Sequence, residues 1–249
     1  MRAIFIVGTG RSGTHFLTRI LLGYRNIYDT LDGKENSLLL WNVALAAIGH
    51  RDLNKKTMQY YCEKATGNGV FLDQHHPNIF FAEQIAHNLN DTIFLFPDRP
   101  TCQVVASMMR HKGVMNWYNY ATSWRRVFSN RVPYPNRFLG VTSKSEISNL
   151  PIHLLCAKRV IQHKKTFSDL MKRLPRQARI VDYQALVVAP ETELARIFSE
   201  EERELLGKFE LRETPQKDIL MKYRDVLTDV QVKEIENLEN ESPNEAIHA

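Results

Sequence analysis

The residues best equipped for chemistry stand together near the N-terminus, in Gly8-Thr9-Gly10-Arg11-Ser12-Gly13-Thr14-His15. They follow a short apolar run, Ala3–Val7, and lead into an apolar-periodic segment, Thr14–Leu22. A strand, a glycine turn and a helix start in that order make a cradle for an anion. Small residues let the backbone approach a ligand, successive N–H groups converge, and the helix dipole adds positive potential. Arg11 places a permanent charge in the turn, and the Ser12 and Thr14 hydroxyls add donors. The pattern that cradles nucleoside triphosphates ends in Gly-Lys-Ser/Thr. Here Gly13 is followed by Thr14-His15, and the cation sits two places before Gly13.

Two further clusters lie at the ends of predicted strands. In FLFPDRPTCQVVASMMRH, Arg99 falls just past the strand Thr92–Phe96, where ligands bind in open α/β sheets. Ser107 follows eight residues later, inside a helix predicted over Pro100–His111. After the strand Val70–Asp73 the chain reads Asp73-Gln74-His75-His76-Pro77. A carboxylate and two imidazoles are groups that can accept a proton, the imidazoles with an intrinsic pKa close to neutrality. Asp73 also suits a plain helix-capping role before Pro77. A metal site from Asp73, His75 and His76 is disfavoured, because neighbouring side chains in an extended segment diverge.

GTGRSGTHFL resembles the 5′-phosphosulfate loop of the sulfotransferases that use 3′-phosphoadenosine-5′-phosphosulfate (PAPS), commonly G-x-x-R/K-S-G-T-T/S-W/F/L. The resemblance implies that Gly10, Arg11, Ser12, Gly13, Thr14 and His15 hold the 5′ end, with Arg11 stabilising charge on the leaving phosphate. His15 replaces the commoner Thr. Arg99 followed by Ser107 in V-V-A-S is similar to the family's 3′-phosphate site, which distinguishes PAPS from ATP. IVDYQALVVAPETELARIF is similar to a strand-Y-E-x-L-x-x-x-P-x-x-x-L segment, with Tyr183, Leu186, Pro190 and Leu194 in step and Gln184 in place of Glu. Tyr183 joins the cofactor site on that basis.

FLDQHHP resembles the family's E-K-S/T-P block with one residue more, which implies Asp73 as the base, then His75, then His76, and Gln74 where the family has Lys. Lys217, Lys222 and Arg224 stand where family members close a basic loop over the 3′-phosphate, without its Arg-Lys-Gly triplet. The implied reaction is in-line sulfuryl transfer from PAPS to a hydroxyl or amine of a small-molecule or carbohydrate acceptor. PAP (3′-phosphoadenosine-5′-phosphate) is the product, and no metal is expected.

The elements that must position these groups are also readable. Strands Ala3–Val7, Val70–Asp73, Thr92–Phe96 and Ala178–Asp182 alternate with helical segments. That alternation predicts an α/β fold, an open parallel β-sheet of four to five strands flanked by helices. With the glycine loop it is of P-loop nucleotide-binding type. One domain over residues 1–249 is expected, with helical insertions at about 24–69 and 113–150 and a frayed tail from about 240. Trp117, Ala121, Trp124 and Phe128 form a core stripe on a helix predicted over Val114–Phe128, leaving Tyr118 and Arg125 open. Lys158, Arg159, His163, Lys164, Lys165, Lys172 and Arg173 read as a solvated helix face.

The chain carries 33 basic and 28 acidic residues in 249, a formal charge of +5. That excess suits a polyanionic small ligand or a nucleic acid, and the resemblance selects the former. Cys62, Cys102 and Cys156 lack zinc or disulfide spacing and read as free thiols in a reducing compartment. No signal peptide or membrane-length apolar run is visible, so a soluble cytoplasmic protein is expected. Two other readings stay open. One is a P-loop kinase or NTPase with Asp98 anchoring Mg²⁺; the other is a PAP-binding protein without catalysis, motivated by Gln74. No motif identifies the acceptor or the oligomeric state.

Overall fold

The computed structural model describes residues 1–29, 36–123, 132–212 and 220–241. Five strands, β1 (Ala3–Ile6), β2 (Ile27–Tyr28), β3 (Val70–Asp73), β4 (Thr92–Asp98) and β5 (Ala178–Asp182), form one sheet in the order β2-β3-β1-β4-β5. Every pairing is parallel. β1 is central and completely buried. Ala3, Phe5 and Val7 face one hydrophobic cluster, and Ile4 and Ile6 face the other. The alternation follows from the two-residue repeat of a strand, and apolar residues on both faces follow from helices covering both sides. Helices Ser37–Ile48, Lys55–Ala65, Thr101–Met109 and Ile152–Arg173 lie on the first side, and Thr14–Leu21 and Pro190–Ile197 on the second.

Several segments differ from expectation. The helix expected from Pro77 to Leu89 is a 3₁₀ turn, His76–Phe80, followed by an α-helix, Ala82–Asn88. They meet at Phe81, whose φ of −123° is not helical. Short helices, Tyr183–Val188 among them, stand where the sequence pattern predicts irregular chain or no element. Ser143 caps Lys144–Asn149 and Ser199 caps Glu200–Leu206, each accepting from the backbone N–H three residues on. Both carry the Ser-x-x-Glu signature of a helix start.

The basic cluster on the Ile152–Arg173 helix is not all solvated. Arg159, His163 and Lys164 are buried, whereas Lys165, Lys172 and Arg173 are exposed. Helices Thr101–Met109 and Asp229–Glu241 pack on this helix and cover more of its circumference than one apolar stripe requires. The Arg159 guanidinium lies 4.4 Å over the Phe138 ring. Lys164 pairs with Asp98 at 3.1 Å and Glu239 at 3.3 Å. Trp117 and Tyr118 are both buried, and the Tyr118 hydroxyl donates to Leu155 O at 2.9 Å. Trp124, Arg125 and Phe128 lie outside the described residues, as do Lys217 and the tail beyond Glu241. Among the described residues no helix is long and apolar enough to cross a membrane.

Candidate active site

The chain leaves β1 toward β2 and leaves β4 toward β5, so the crevice between the ends of β1 and β4 is the topological switch point of the sheet. Ligands bind open parallel sheets at such a crevice. The loop after β1 is fastened on both sides: Val7 N–H donates to Leu95 O at 2.9 Å and Gly8 N–H to His76 O at 3.0 Å. Ser12 Oγ donates to Thr9 O at 2.8 Å and closes the turn. Arg11 has φ 76°, an uncommon conformation for a residue with a Cβ, which this turn imposes. Gly13 is the N-cap of the Thr14–Leu21 helix, with φ 109° and no side-chain cap. The first amides of a helix have no intrahelical acceptor, so this end presents donors to the crevice.

Gly13 also has a steric reason. A Cβ there would lie 2.3 Å from Cε2 of Tyr183, whose ring packs edge-on to Phe16 at 5.9 Å. On the far side of the loop, His163 Nδ1 lies 2.7 Å from Gly8 O and its Nε2 3.0 Å from Phe138 O. Burial and the neighbouring Arg159 push this imidazole down to about 3. It is therefore neutral, with one ring proton to donate to one of the two carbonyls.

Arg99, past the end of β4, is 8% exposed. Its Nε donates to Gln103 Oε1 at 3.0 Å, its Nη1 reaches Arg11 O at 3.4 Å, and its guanidinium lies 4.7 Å over the Tyr183 ring. Burial and the charge of Arg11 both work against the Arg99 cation, which keeps its proton regardless. Such a charge gains most from an incoming anion. Arg11 Nε donates to Ser107 Oγ at 3.1 Å. The loop after β1 is thereby joined to the helix after β4, although these residues are 96 apart in sequence.

Arg11, Gly13, Thr14, His15, Arg99, Ser107 and Tyr183 all line one cleft of about 520 Å³. Arg19, Arg110, His111 and Lys222 line it too, and no described lining residue is a carboxylate. Five permanent cations facing one cavity of small-molecule size suit a polyanion of the bulk of a nucleotide. Arg110 and His111 follow Ser107 by one helical turn, so their position was legible from i+3 and i+4 spacing. Arg19 follows His15 by the same i+4 spacing on the helix Thr14–Leu21. Gly10 packs beside the His76 ring, 3.3 Å from where its Cβ would be. Ser12 is buried within the turn.

Asp73 and His75 occupy a different setting. Both are buried, and neither lines the cleft. His75 Nδ1 meets Asp73 Oδ2 at 2.6 Å, and Asp73 Oδ1 accepts from His75 N–H at 3.0 Å and from Asn78 Nδ2 at 2.9 Å. His75 Nε2 lies 3.1 Å from Asn36 O. Gln74 accepts from Thr18 Oγ1 at 3.0 Å and so buttresses the helix that starts at the loop. Asp98 faces a separate cavity, paired with Lys164.

Replacing Ser107 by Ala removes the partner of Arg11 Nε and one hydroxyl donor from the cleft. On the resemblance to PAPS-dependent sulfotransferases, PAP affinity is expected to fall roughly 3- to 10-fold, the size of one hydrogen bond, measured by titration calorimetry. An unchanged affinity would place the nucleotide away from this helix.

A parallel five-stranded sheet with a glycine turn feeding a helix, and a cationic cleft at its switch point, defines an α/β protein of open parallel-sheet type. No family model matches the chain, and no curated protein matches it by sequence. Solved structures share its fold, two of which are sulfotransferase domains. The sulfotransferase domain from the curacin biosynthetic pathway aligns with a TM-score of 0.54 and 12% identity, over 95% of this chain and 96% of that one. The sulfotransferase domain from the Synechococcus PCC 7002 olefin synthase aligns with a TM-score of 0.53 and 13% identity, over 95% and 94%. At these identities the likeness is one of fold.

Proposed function

We propose that this protein is a sulfotransferase that binds PAPS across the cleft between β1 and β4. The observation that carries the reading is the joining of Arg11 and Arg99 in one cleft, beside the start of a helix, whose described lining residues include no carboxylate. The residues present fit the co-substrate. Arg11 and the amides from Gly13 onward would hold the 5′ phosphosulfate, while Arg99 and Ser107 would hold the 3′-phosphate. Tyr183 positions both ends, because its ring touches the Gly13 backbone and carries the Arg99 guanidinium. Lys222, on the 3₁₀ turn Lys222–Asp225, adds a cation to the wall of the cleft.

PAPS supplies an activated sulfuryl group on a good leaving phosphate. The chain's own contribution is electrostatic: fixed cations and amides aimed where charge gathers on the 5′-phosphate as the sulfur departs. Arg11 is the cation closest in the loop to that phosphate.

The kinase reading needs a carboxylate near the phosphates to anchor Mg²⁺, and Asp98 is turned to another cavity. Calorimetry with PAP, AMP and ATP, each with and without Mg²⁺, separates the readings. We expect PAP to bind at least tenfold more tightly than AMP, with no dependence on Mg²⁺. Tighter, Mg²⁺-dependent ATP binding would replace the sulfotransferase reading by that of an NTP-utilising enzyme.

A further inference from the structure

Asp73 and His75 are committed to each other and to the backbone behind the loop. Both oxygens of Asp73 are occupied, and each ring nitrogen of His75 faces an acceptor, Asp73 Oδ2 or Asn36 O. A group that takes a proton from a bound acceptor has to come within hydrogen-bond reach of it. His15 is placed to do so. It sits one residue past Thr14 in the first turn of the helix, half-buried, on the wall of the cleft that also holds Arg11. We infer that His15 is the residue that accepts the proton of the sulfuryl acceptor. The inference rests on the reading of this cleft as a PAPS site.

The step balances without a further reactant. The acceptor's oxygen or nitrogen forms its bond to sulfur as the bond from sulfur to the 5′-phosphate oxygen breaks. The electron pair of the broken bond leaves with PAP, the acceptor's proton passes to a ring nitrogen of His15, and the resulting imidazolium later returns that proton to water. Asp73 and His75 are then positioning residues, which tie the end of β3 to Asn36, just ahead of the Ser37–Ile48 helix.

The surroundings keep His15 ready for this work. Burial first, then Arg11 in the loop, Arg19 farther along the same helix, His75 at the end of β3 and His111 after the Thr101–Met109 helix all hold it below the ordinary 6.5. A lowered value means that His15 is neutral, and able to accept, at pH 7 and above. It becomes protonated, and useless as a base, only as the pH falls through that lowered value. Anionic PAPS offsets the cations around it, so the acid limb of kcat lies at higher pH than that of kcat/KM.

The test uses the full chain with PAPS and water as acceptor, following PAP release across the acid and neutral range. His15→Asn is expected to slow release roughly 100-fold and to remove the acid limb. Its loss of PAP affinity should be much smaller than its loss of rate, no more than one hydrogen bond's worth. Added imidazole should restore part of the rate to His15→Ala. A ring-proton resonance missing from H15N should titrate at higher pH once PAP is bound. The inference is overturned if H15N keeps the wild-type rate or acid limb. It is also overturned if H15N loses PAP affinity as much as rate, or if the wild type releases no PAP above the buffer blank. Failure of the underlying reading looks different, since the wild-type protein would then not bind PAP at all.

Discussion

Arg99→Ala should weaken PAP binding by 10² or more, while AMP binding changes by less than about threefold. Truncating one partner of a buried, hydrogen-bonded charge pair costs about 2–5 kcal/mol, and 2.7 kcal/mol is about a factor of 10². Arg99 meets the conditions for the upper part of that range. It is 8% exposed, its Nε is fixed by Gln103, and its plane lies over Tyr183. AMP lacks the 3′-phosphate and so does not use this cation. Arg99→Lys separates charge from shape: it keeps the cation but loses the planar fork, and about a tenfold loss is expected. Equal losses for PAP and AMP would move Arg99 to the 5′ end of the nucleotide and undo the two-ended site.

Gly13→Ala should destabilise the fold by about 2–6 kcal/mol and abolish measurable PAP binding. Two costs add. A side chain at φ 109° is strained, at about 1–3 kcal/mol for such backbone. A Cβ 2.3 Å from Tyr183 Cε2 also forces the ring or the loop to shift, and overpacking costs about 1–3 kcal/mol. Binding suffers more than stability, because what must move is either the ring under Arg99 or the loop that presents the helix-start amides. Urea midpoints at unchanged slope would report the stability change, and calorimetry the loss of PAP. Combining Gly13→Ala with Tyr183→Ala should recover the packing cost and leave the backbone cost. A single variant as stable as wild type would mean that the Tyr183 ring does not rest on the loop.

The elements legible in the sequence are those whose cause is local. Ala3–Ile6, Val70–Asp73 and Ala178–Asp182 are short apolar runs, and the helix Lys55–Ala65 starts at a cap, Asn54. Placing Arg11 and Arg99 on one side of the sheet also needed no coordinates, since parallel strands put all their C-terminal ends at one edge. The two-residue strand Ile27–Tyr28 has no pattern of its own; it is a strand because Val70 and Phe71 lie beside it.

The chemistry divides along the same line. Residue types and spacing determined that a glycine-rich turn with a cation follows β1 and that a guanidinium and a hydroxyl follow β4. Only the tertiary structure decided which ionisable groups face the cleft. His163, 155 residues from Gly8, braces the loop from behind. Asp73 and His75 are sealed beneath it, and His15 is left on the wall. Burial and hydrogen bonding between distant segments set proton affinity and access, and neither is encoded in the residues adjacent to the group itself.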